Sequence, residues 1–258
     1  MSAIYDKIGI EYNATRQADT YIVGRIKELL NLQRDKRYLD VGCGTGNYTQ
    51  KLVEHGGIFW GIDPSKSMLC QSISTNISWV KDYAETFSIP NDIYFDGCIV
   101  VNSIHHWENI QKGLSNISSK LKKGSRIVIF AQLDNQIKSC WLKYYFPKMI
   151  EKSKRPTFEE VIEKMNIANL EFYFSEDYFV QQGLQDLFLN AGKVNPAIYL
   201  DDKIRNGMSN FTLFCEEEEL KSGLIKLRED IENGEIDRVI NNYTSKNGDY
   251  SFIVGIKK

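Results

Sequence analysis

Residues 39–46 read LDVGCGTG, and this stretch sets the fold of the chain around it. Gly42, Gly44 and Gly46 alternate directly after an apolar segment, which predicts a strand that ends in a tight turn before a helix begins. Glycines at this spacing let a ligand approach the backbone closely, at the start of a helix where amide groups point outward. The stretch predicts a binding loop, and a tight turn without a ligand is the alternative.

Outward from this loop, helical and strand-like segments alternate from residue 20 to residue 131, which predicts a parallel sheet with crossover helices. The helix predicted at 47–55 ends at Gly56-Gly57, and a strand at 58–62 follows it. Further strands are predicted at 38–41, 77–81, 97–102, 126–131 and 250–256, and further helices at 110–121, 157–165 and, as a pair, within 216–242.

An acidic residue, Asp63, follows the strand predicted at 58–62. It lies about 20 residues beyond Gly42, where a carboxylate can accept hydrogen bonds from ribose hydroxyls. The nicotinamide dinucleotide fingerprint G-x-G-x-x-G needs its third glycine at the position of Asn47, so the spacing fits G-x-G-x-G better. Loop and carboxylate together predict an adenosine site, and Asn47 disfavours a nicotinamide dehydrogenase.

Residues 40–46 (DVGCGTG) and 61–65 (GIDPS) resemble motifs I and II of the class I S-adenosylmethionine-dependent methyltransferases, in particular the type 11-like bacterial enzymes that act on small molecules. Residues 81–85 (KDYAE), 89–90 (IP) and 95–96 (FD) are similar to the D-A-E-x-L-P segment and the F-D pair of that family. The resemblance implies a three-layer, Rossmann-like α/β fold. Its seven-stranded sheet should be mostly parallel, with an antiparallel last strand and extra helical lid elements.

The resemblance also implies where S-adenosylmethionine binds. Asp40 and the loop glycines would hold its methionine end, Asp63 with Pro64 its ribose, and residues 82–84 its adenine, with either Asp82 or Tyr83 meeting the amino group. The residues expected to bind the cofactor are Tyr12, Arg16, Asp40, Gly42, Gly44, Gly46, Asp63, Pro64, Asp82, Tyr83, Ala84 and Asn102.

The N-terminal segment 5–16 resembles a helix that folds over the cofactor in many of these enzymes. Arg16 could then pair with the carboxylate of the cofactor, and Tyr12 could line the sulfonium. A surface arginine and a core tyrosine explain the same two residues equally well.

Two of the three histidines, His105 and His106, follow the strand predicted at 97–102, at the strand end where parallel sheets bind ligands. An imidazole can remove a proton near neutral pH, so either histidine is a candidate catalytic base. Packing against Trp107 or a hydrogen bond to the backbone is the alternative. Adjacent histidines without further spaced ligands cannot close a metal site, and no metal is expected.

The bulk composition narrows the class of protein. A net charge of −2 over 258 residues disfavours nucleic acid as a partner. No apolar run approaches the ~18 residues that span a bilayer, and no signal peptide is evident, so a cytoplasmic location is expected. The five scattered cysteines suggest reduced thiols.

The expected function is methyl transfer from S-adenosylmethionine to an oxygen, nitrogen or carbon atom of a small-molecule acceptor, with S-adenosylhomocysteine as product. A non-catalytic S-adenosylmethionine-binding protein, or a methyltransferase acting on RNA or protein, is the alternative. We expect one domain, with residues 1–132 binding the cofactor, residues 133–249 supplying acceptor pocket and lid, and residues 250–258 forming the closing strand. The sequence does not indicate the oligomeric state.

Overall fold

The computed structural model of the chain describes residues 12–72, 77–243 and 246–258. A seven-stranded sheet lies at its centre, in the order β3-β2-β1-β4-β5-β7-β6. The strands are β1 (Arg37–Val41), β2 (Ile58–Ile62), β3 (Ile77–Val80), β4 (Phe95–Val101), β5 (Leu121–Ala131), β6 (Leu170–Tyr178) and β7 (Tyr250–Lys257).

The pairing of the strands confirms the predicted fold class. Strands β3, β2, β1, β4 and β5 run parallel to one another, whereas β7 runs antiparallel to both β5 and β6. The last strand in the sequence is therefore the antiparallel one, as expected.

The helices connect the strands and extend the second half of the chain. The predicted helix at 47–55 is present and is followed by two glycines with positive φ. The predicted pair within 216–242 is also present. The helices are α1 (Tyr12–Thr15), α2 (Thr20–Leu30), α3 (Asn47–Glu54), α4 (Lys66–Leu69), α5 (Ile110–Lys120), α6 (Asp134–Lys138), α7 (Pro147–Lys152), α8 (Phe158–Ile167), α9 (Asp202–Asn206), α10 (Ser209–Phe214), α11 (Glu217–Glu232) and α12 (Ile236–Asn242).

Side chains alternate between the two faces of the sheet, and each face carries its own core. Leu39 of β1 and Ile129 of β5 pack with α5 and α8 on one face, whereas Tyr38 and Phe130 pack with α2 on the other. This is the alternation that a strand buried on both faces requires. The sheet is thus the middle of three layers.

The second half of the chain, expected to supply acceptor pocket and lid, has two features that the sequence did not indicate. Residues 170–178 form β6, an edge strand of the sheet, so part of the range 133–249 belongs to the central layer. The aromatic residues Trp141, Tyr145 and Phe146 form a separate helical core with Tyr199 and Phe211. They pack against one another and do not line the site described below.

One part of the N-terminal expectation cannot be placed. Residues 5–11 of the segment that resembles a cofactor-covering helix lie outside the described residues, and the helix α1 covers residues 12–15. An antiparallel bridge between Arg16 and Asp186 follows it and joins this segment to the second half of the chain.

Phe130 is the residue on which we expect the packing of the sheet to depend most. It is fully buried, and its ring centroid lies 4.6 Å from that of Phe252 and 5.4 Å from that of Tyr250. Phe130→Ala should lower the free energy of unfolding by about 3–5 kcal/mol, because it removes these contacts and leaves a cavity. Phe179→Ala, at a position that is 44% exposed, is the matched control and should change it by less than about 0.5 kcal/mol. Urea denaturation measures both, and equal losses would contradict the central role of Phe130.

Candidate functional site

The site lies where the carboxyl ends of the parallel strands β1, β2 and β4 meet, as expected for an open α/β sheet. A cavity of about 290 Å³ opens there. We call it the larger cavity. It is lined by Tyr12, Arg16, Asp40, Gly42, Cys43, Gly44, Thr45, Asn47, Tyr48, Asp63, Pro64, Met68, Asp82, Tyr83, Ala84, Glu85, Val101, Asn102, Ser103, His106, Trp107, Glu108 and Asp186.

Most of the predicted cofactor residues are brought together in this cavity. Of the twelve, only Gly46 is not on its wall. A Cβ at Gly46 would lie 2.2 Å from the indole ring of Trp79, so this glycine permits close packing behind the loop. His106 lines the larger cavity, whereas His105 lines a neighbouring one.

The glycine loop is held by backbone hydrogen bonds in a conformation that requires glycine. The amides of Gly42 and Cys43 both donate to the carbonyl of Ile62, over 2.8 and 3.0 Å. Gly42 has a φ of 77°, and a Cβ there would lie 2.3 Å from the side chain of Ser103. The Ser103 hydroxyl in turn donates to the carbonyl of Val41 over 2.9 Å. The loop after β1 and the loop after β4 are therefore packed directly against each other.

Asp40, at the carboxyl end of β1, is a buried carboxylate with one oxygen in use. Its Oδ2 accepts a hydrogen bond from the Thr49 hydroxyl over 2.5 Å. Its Oδ1 is buried and accepts none from the described residues. Burial raises the pKa of the Asp40 carboxyl to about 7, and the charge of Asp63 adds to this effect. The larger cavity thus has a buried acceptor that titrates near neutral pH.

Asp63 follows β2 and organises the backbone on both sides of it. Its Oδ2 accepts from the amide of Gly44, and its Oδ1 accepts from the amide of Ser65, both over 2.9 Å. The second bond starts the turn into α4, whose first amides are capped by the Ser65 hydroxyl. A carboxylate oxygen has two lone pairs and can accept more than one hydrogen bond.

The turn at residues 82–84 is arranged around Asp82. Its Oδ1 accepts hydrogen bonds from the amide of Tyr83, over 2.8 Å, and from the hydroxyl of Thr86, over 2.6 Å. Both bonds end on the same oxygen, so Oδ2 retains its capacity to accept. The side chain of Tyr83 is 42% exposed, and Ala84 is buried against α5. Of the two residues that the sequence left open, Asp82 is the one with a carboxylate oxygen to offer.

Asn102 ends β4 in a left-handed conformation, with a φ of 49°. Asparagine tolerates this region better than most residues. Its backbone amide donates to the carbonyl of Phe130 over 2.7 Å, which fixes the backbone at the end of the strand. Its Nδ2 is buried and has no hydrogen-bond partner among the described residues.

His105 and His106 form part of a 3₁₀ turn after β4, and their ring centroids are 4.0 Å apart. Burial, together with the positive charges of Arg155 and Arg16, lowers the pKa of His106 to about 3. The same causes hold the pKa of His105 well below its usual range. Both imidazoles are therefore neutral at physiological pH. Their role in catalysis stays a prediction.

Tyr12 and Arg16 line the larger cavity from the N-terminal segment. The Nε of Arg16 lies 2.5 Å from an Asp186 carboxylate oxygen, and its guanidinium carbon lies 4.9 Å from the centre of the Tyr12 ring. Asp186 also accepts from the Tyr48 hydroxyl over 3.0 Å. The sequence did not indicate Asp186, because nothing local marks a partner that is 170 residues away from Arg16.

Several other residues on the wall of the larger cavity were not predicted, and the sequence around them gives only weak indications of a site. Trp107 and Ser103 flank the histidine turn and could have been included on position alone. Met68 lies on the helix that Ser65 begins, and its methyl group would be 3.2 Å from a Cβ at Gly44. Glu85 and Glu108 add two carboxylates to the rim of the larger cavity.

Within residues 12–72, 77–243 and 246–258, no group of three or more histidine, cysteine or acidic side chains is arranged to hold a metal ion. None of the helices in the same ranges combines the length and the hydropathy needed to cross a bilayer. The five cysteines, all of them in these ranges, are thiols.

Comparison with known proteins gives one family. A family model described as a methyltransferase domain matches residues 39–129. The O-methyltransferase resE of Aspergillus sclerotiorum is 32% identical over 108 residues, which are 39% of this chain and 41% of that protein. An uncharacterized methyltransferase of Bacillus cereus is 29% identical over 144 residues, which are 52% of this chain and 61% of that protein. The chain thus spans about half the length of the curated relatives that it matches.

A solved structure matches over nearly its whole length. It is a protein of Anabaena variabilis described as a methyltransferase from an antibiotic biosynthesis pathway. It has a TM-score of 0.83 and 28% identity, and the match covers 93% of this chain and 98% of that one. The similarity therefore includes the second half of the fold, which the family model does not reach.

Gly42→Ala tests the packing of the glycine loop against Ser103. We expect a loss of about 1–2 kcal/mol in the free energy of unfolding from the left-handed φ, and about 1–3 kcal/mol more from the overlap with Ser103. Gly124→Ala is the matched control, because Gly124 has a φ of 81° and nothing within 4 Å of a Cβ. Chemical denaturation should show the larger loss only for Gly42→Ala, and equal losses would mean that the close approach to Ser103 has no energetic role.

Proposed function

Since the chain belongs to the class I S-adenosylmethionine-dependent methyltransferases in sequence and in fold, we propose that it transfers a methyl group from S-adenosylmethionine to a small-molecule acceptor. The observation that carries this proposal is the larger cavity, which combines the glycine loop with Asp40, Asp63 and Asp82 at one sheet edge. The antibiotic pathway named for the Anabaena variabilis protein supports a small acceptor.

The residues present fit the methionine end of the cofactor. Oδ1 of Asp40 is buried without a hydrogen-bond partner among the described residues, and an ammonium group would supply one. A ligand can come close to Gly42 and Gly44 because neither has a Cβ. We therefore propose that Asp40 accepts a hydrogen bond from the amino group of the cofactor.

The residues also fit the adenosine end. Asp63, already fixed by the amides of Gly44 and Ser65, would accept from the ribose hydroxyls. Asp82 would accept from the adenine amino group with Oδ2, since its Oδ1 is occupied by Tyr83 and Thr86. Pro64 and Ala84 would pack against the ribose and the base, respectively.

Arg16 and Tyr12 have a second explanation within the protein. Arg16 pairs with Asp186, so we propose that it shapes the wall of the larger cavity. If it binds the carboxylate of the cofactor, it does so while it keeps its ion pair with Asp186. Tyr12, beside Arg16, would cover the same end of the cavity.

When bound, S-adenosylmethionine would supply an electrophilic methyl group: an electron pair of the acceptor atom would form the new bond to CH₃ as the S–CH₃ bond breaks, and sulfur would keep the pair of the broken bond in S-adenosylhomocysteine. The protein's part is to align the acceptor and to exclude water. An imidazole with a pKa of about 3, as in His106, is a weak base. We propose that His106 and His105 orient the acceptor as neutral hydrogen-bonding groups.

The chain is proposed to act as one domain, with residues 1–132 binding the cofactor. Residues 133–249 would supply the acceptor side through the helices around α6 to α10, while β6 and the closing strand in 250–258 complete the sheet.

Calorimetry and a turnover assay test this function. We expect S-adenosylmethionine and S-adenosylhomocysteine to bind and NAD not to bind. Asp63→Ala should weaken cofactor binding at least about tenfold, because it removes the acceptors for the ribose and for Gly44. Asp92→Ala, at an exposed position outside the larger cavity, is the matched control and should leave it unchanged.

Three outcomes would change the proposal. Binding of NAD alone would overturn it. Cofactor binding without release of S-adenosylhomocysteine in the presence of small acids, phenols and amines would favour a non-catalytic binding protein. Methylation of RNA or protein instead would move the acceptor out of the small-molecule class.

The pH dependence of cofactor binding tests the role of Asp40. Its carboxyl has a pKa raised to about 7 in the free protein, and a cationic ligand binds best when it is ionised. The dissociation constant should therefore rise as the pH falls below about 7, by up to about tenfold per unit. Asp40→Asn should bind more weakly at pH 8 and lose this dependence. Calorimetry between pH 5.5 and 8.5 measures it, and an unchanged slope in Asp40→Asn would contradict the assignment.

A further inference from the structure

A second, smaller cavity of about 40 Å³ lies beside the larger one. The two cavities share Tyr12, Arg16 and Asn102 on their walls, so they adjoin at these residues. A space of this size holds a few water-sized groups, such as the two oxygens and the carbon of a carboxylate. We call it the smaller cavity.

Buried polar atoms without partners are concentrated on the wall of the smaller cavity. Gln132 is 2% exposed, and neither its Nε2 nor its Oε1 has a hydrogen-bond partner among the described residues. The same holds for Nδ1 of His105 and Nδ2 of Asn102. Buried polar groups are normally satisfied, because each unsatisfied one costs free energy. A molecule that enters the smaller cavity therefore meets four polar atoms that the protein itself does not satisfy.

Two arginines supply the charge on this wall. Arg155 and Arg16 line the smaller cavity, and no aspartate or glutamate is among the described residues that do so. Arg16 is paired with Asp186, which lines the larger cavity. The guanidinium of Arg155 donates to the carbonyl of Lys154 over 3.0 Å and to Oδ1 of Asn210 over 3.3 Å, which fixes its position on the wall. Burial and, to a smaller extent, the charge of Arg155 lower the pKa of His105. The larger cavity, by contrast, has six carboxylates on its wall.

We infer that the smaller cavity binds the carboxylate of a small carboxylic acid, which is the methyl acceptor if the function proposed above is correct. The amide groups of Gln132 and Asn102 and the guanidinium of Arg155 donate to the carboxylate oxygens. Oε1 and Nε2 of the Gln132 amide are fixed relative to each other, so Oε1 then accepts from a hydroxyl or amino group next to the carboxylate. The rest of the acid passes Asn102 into the larger cavity.

Binding of matched acids and amides tests this assignment. The probes are glycolate, lactate and mandelate, each paired with its primary amide, which has nearly the same shape without the charge. They are titrated by ligand-observed NMR into the full chain, with and without S-adenosylhomocysteine. We expect at least one acid to bind at least about tenfold more tightly than its amide, because charge-assisted hydrogen bonds are stronger than neutral ones.

Gln132→Met removes the amide at nearly constant volume. It should weaken binding of that acid at least about fivefold and leave the affinity for S-adenosylhomocysteine unchanged, since Gln132 is not on the wall of the larger cavity. Its melting temperature should not fall, because the amide makes no hydrogen bond within the described protein. Gln182→Met, at an exposed position, is the matched control and should change neither affinity.

The two proposals fail separately. If the unmodified protein does not bind S-adenosylhomocysteine, the proposed function is overturned. The titrations in the absence of S-adenosylhomocysteine still measure whether the protein binds the acids. Equal affinities for acid and amide, no binding of any of the three acids, or unchanged acid binding in Gln132→Met would overturn the assignment of the smaller cavity and leave the proposed function standing.

Discussion

The site depends on one carboxylate that accepts hydrogen bonds from two loops at once. Asp63 accepts a hydrogen bond from the backbone amide of Gly44 with Oδ2 and one from the backbone amide of Ser65 with Oδ1. The Asp63 side chain thereby fixes the glycine loop after β1 to the turn after β2. The hydroxyl of Ser103 adds the loop after β4 through the carbonyl of Val41. Three strand ends become one rigid wall because each loop bonds to the backbone of its neighbour.

The bounds of helices and strands that depend on neighbouring residues were predictable from the sequence. The strand β2 (Ile58–Ile62) has the predicted bounds, because an apolar run between Gly57 and Asp63 leaves little choice of register. The helix α3 begins after Gly46, and the glycine pair at 56–57 follows its end, as helix-stop signals indicate. The family resemblance added the seven-stranded, mostly parallel sheet with its antiparallel last strand, which local patterns do not specify.

Features that depend on distant pairing were not predictable. Nothing near Arg16 indicates that Asp186 will pair with it, and nothing near Asn102 indicates that Gln132 will border the same space. The strand β6 alternates buried and exposed positions along an aromatic-rich stretch, and only its pairing with β7 identifies it as part of the sheet. The depressed pKa of His106 likewise arises from its burial in the fold and from the charge of Arg155, far away in the sequence.

The wall shared by the two cavities has a consequence for how such a protein can diverge. The larger cavity is built mainly from residues before Asn102, whereas the smaller one takes most of its wall from Gln132 onward. Substitutions at Met208 or Asn210 can therefore reshape the smaller cavity with the glycine loop intact. Asn102, which serves both and sits in a left-handed backbone, cannot change so freely. The part of the chain from Gln132 onward can therefore change what the smaller cavity accepts, while the residues before Asn102 keep the shape of the larger one.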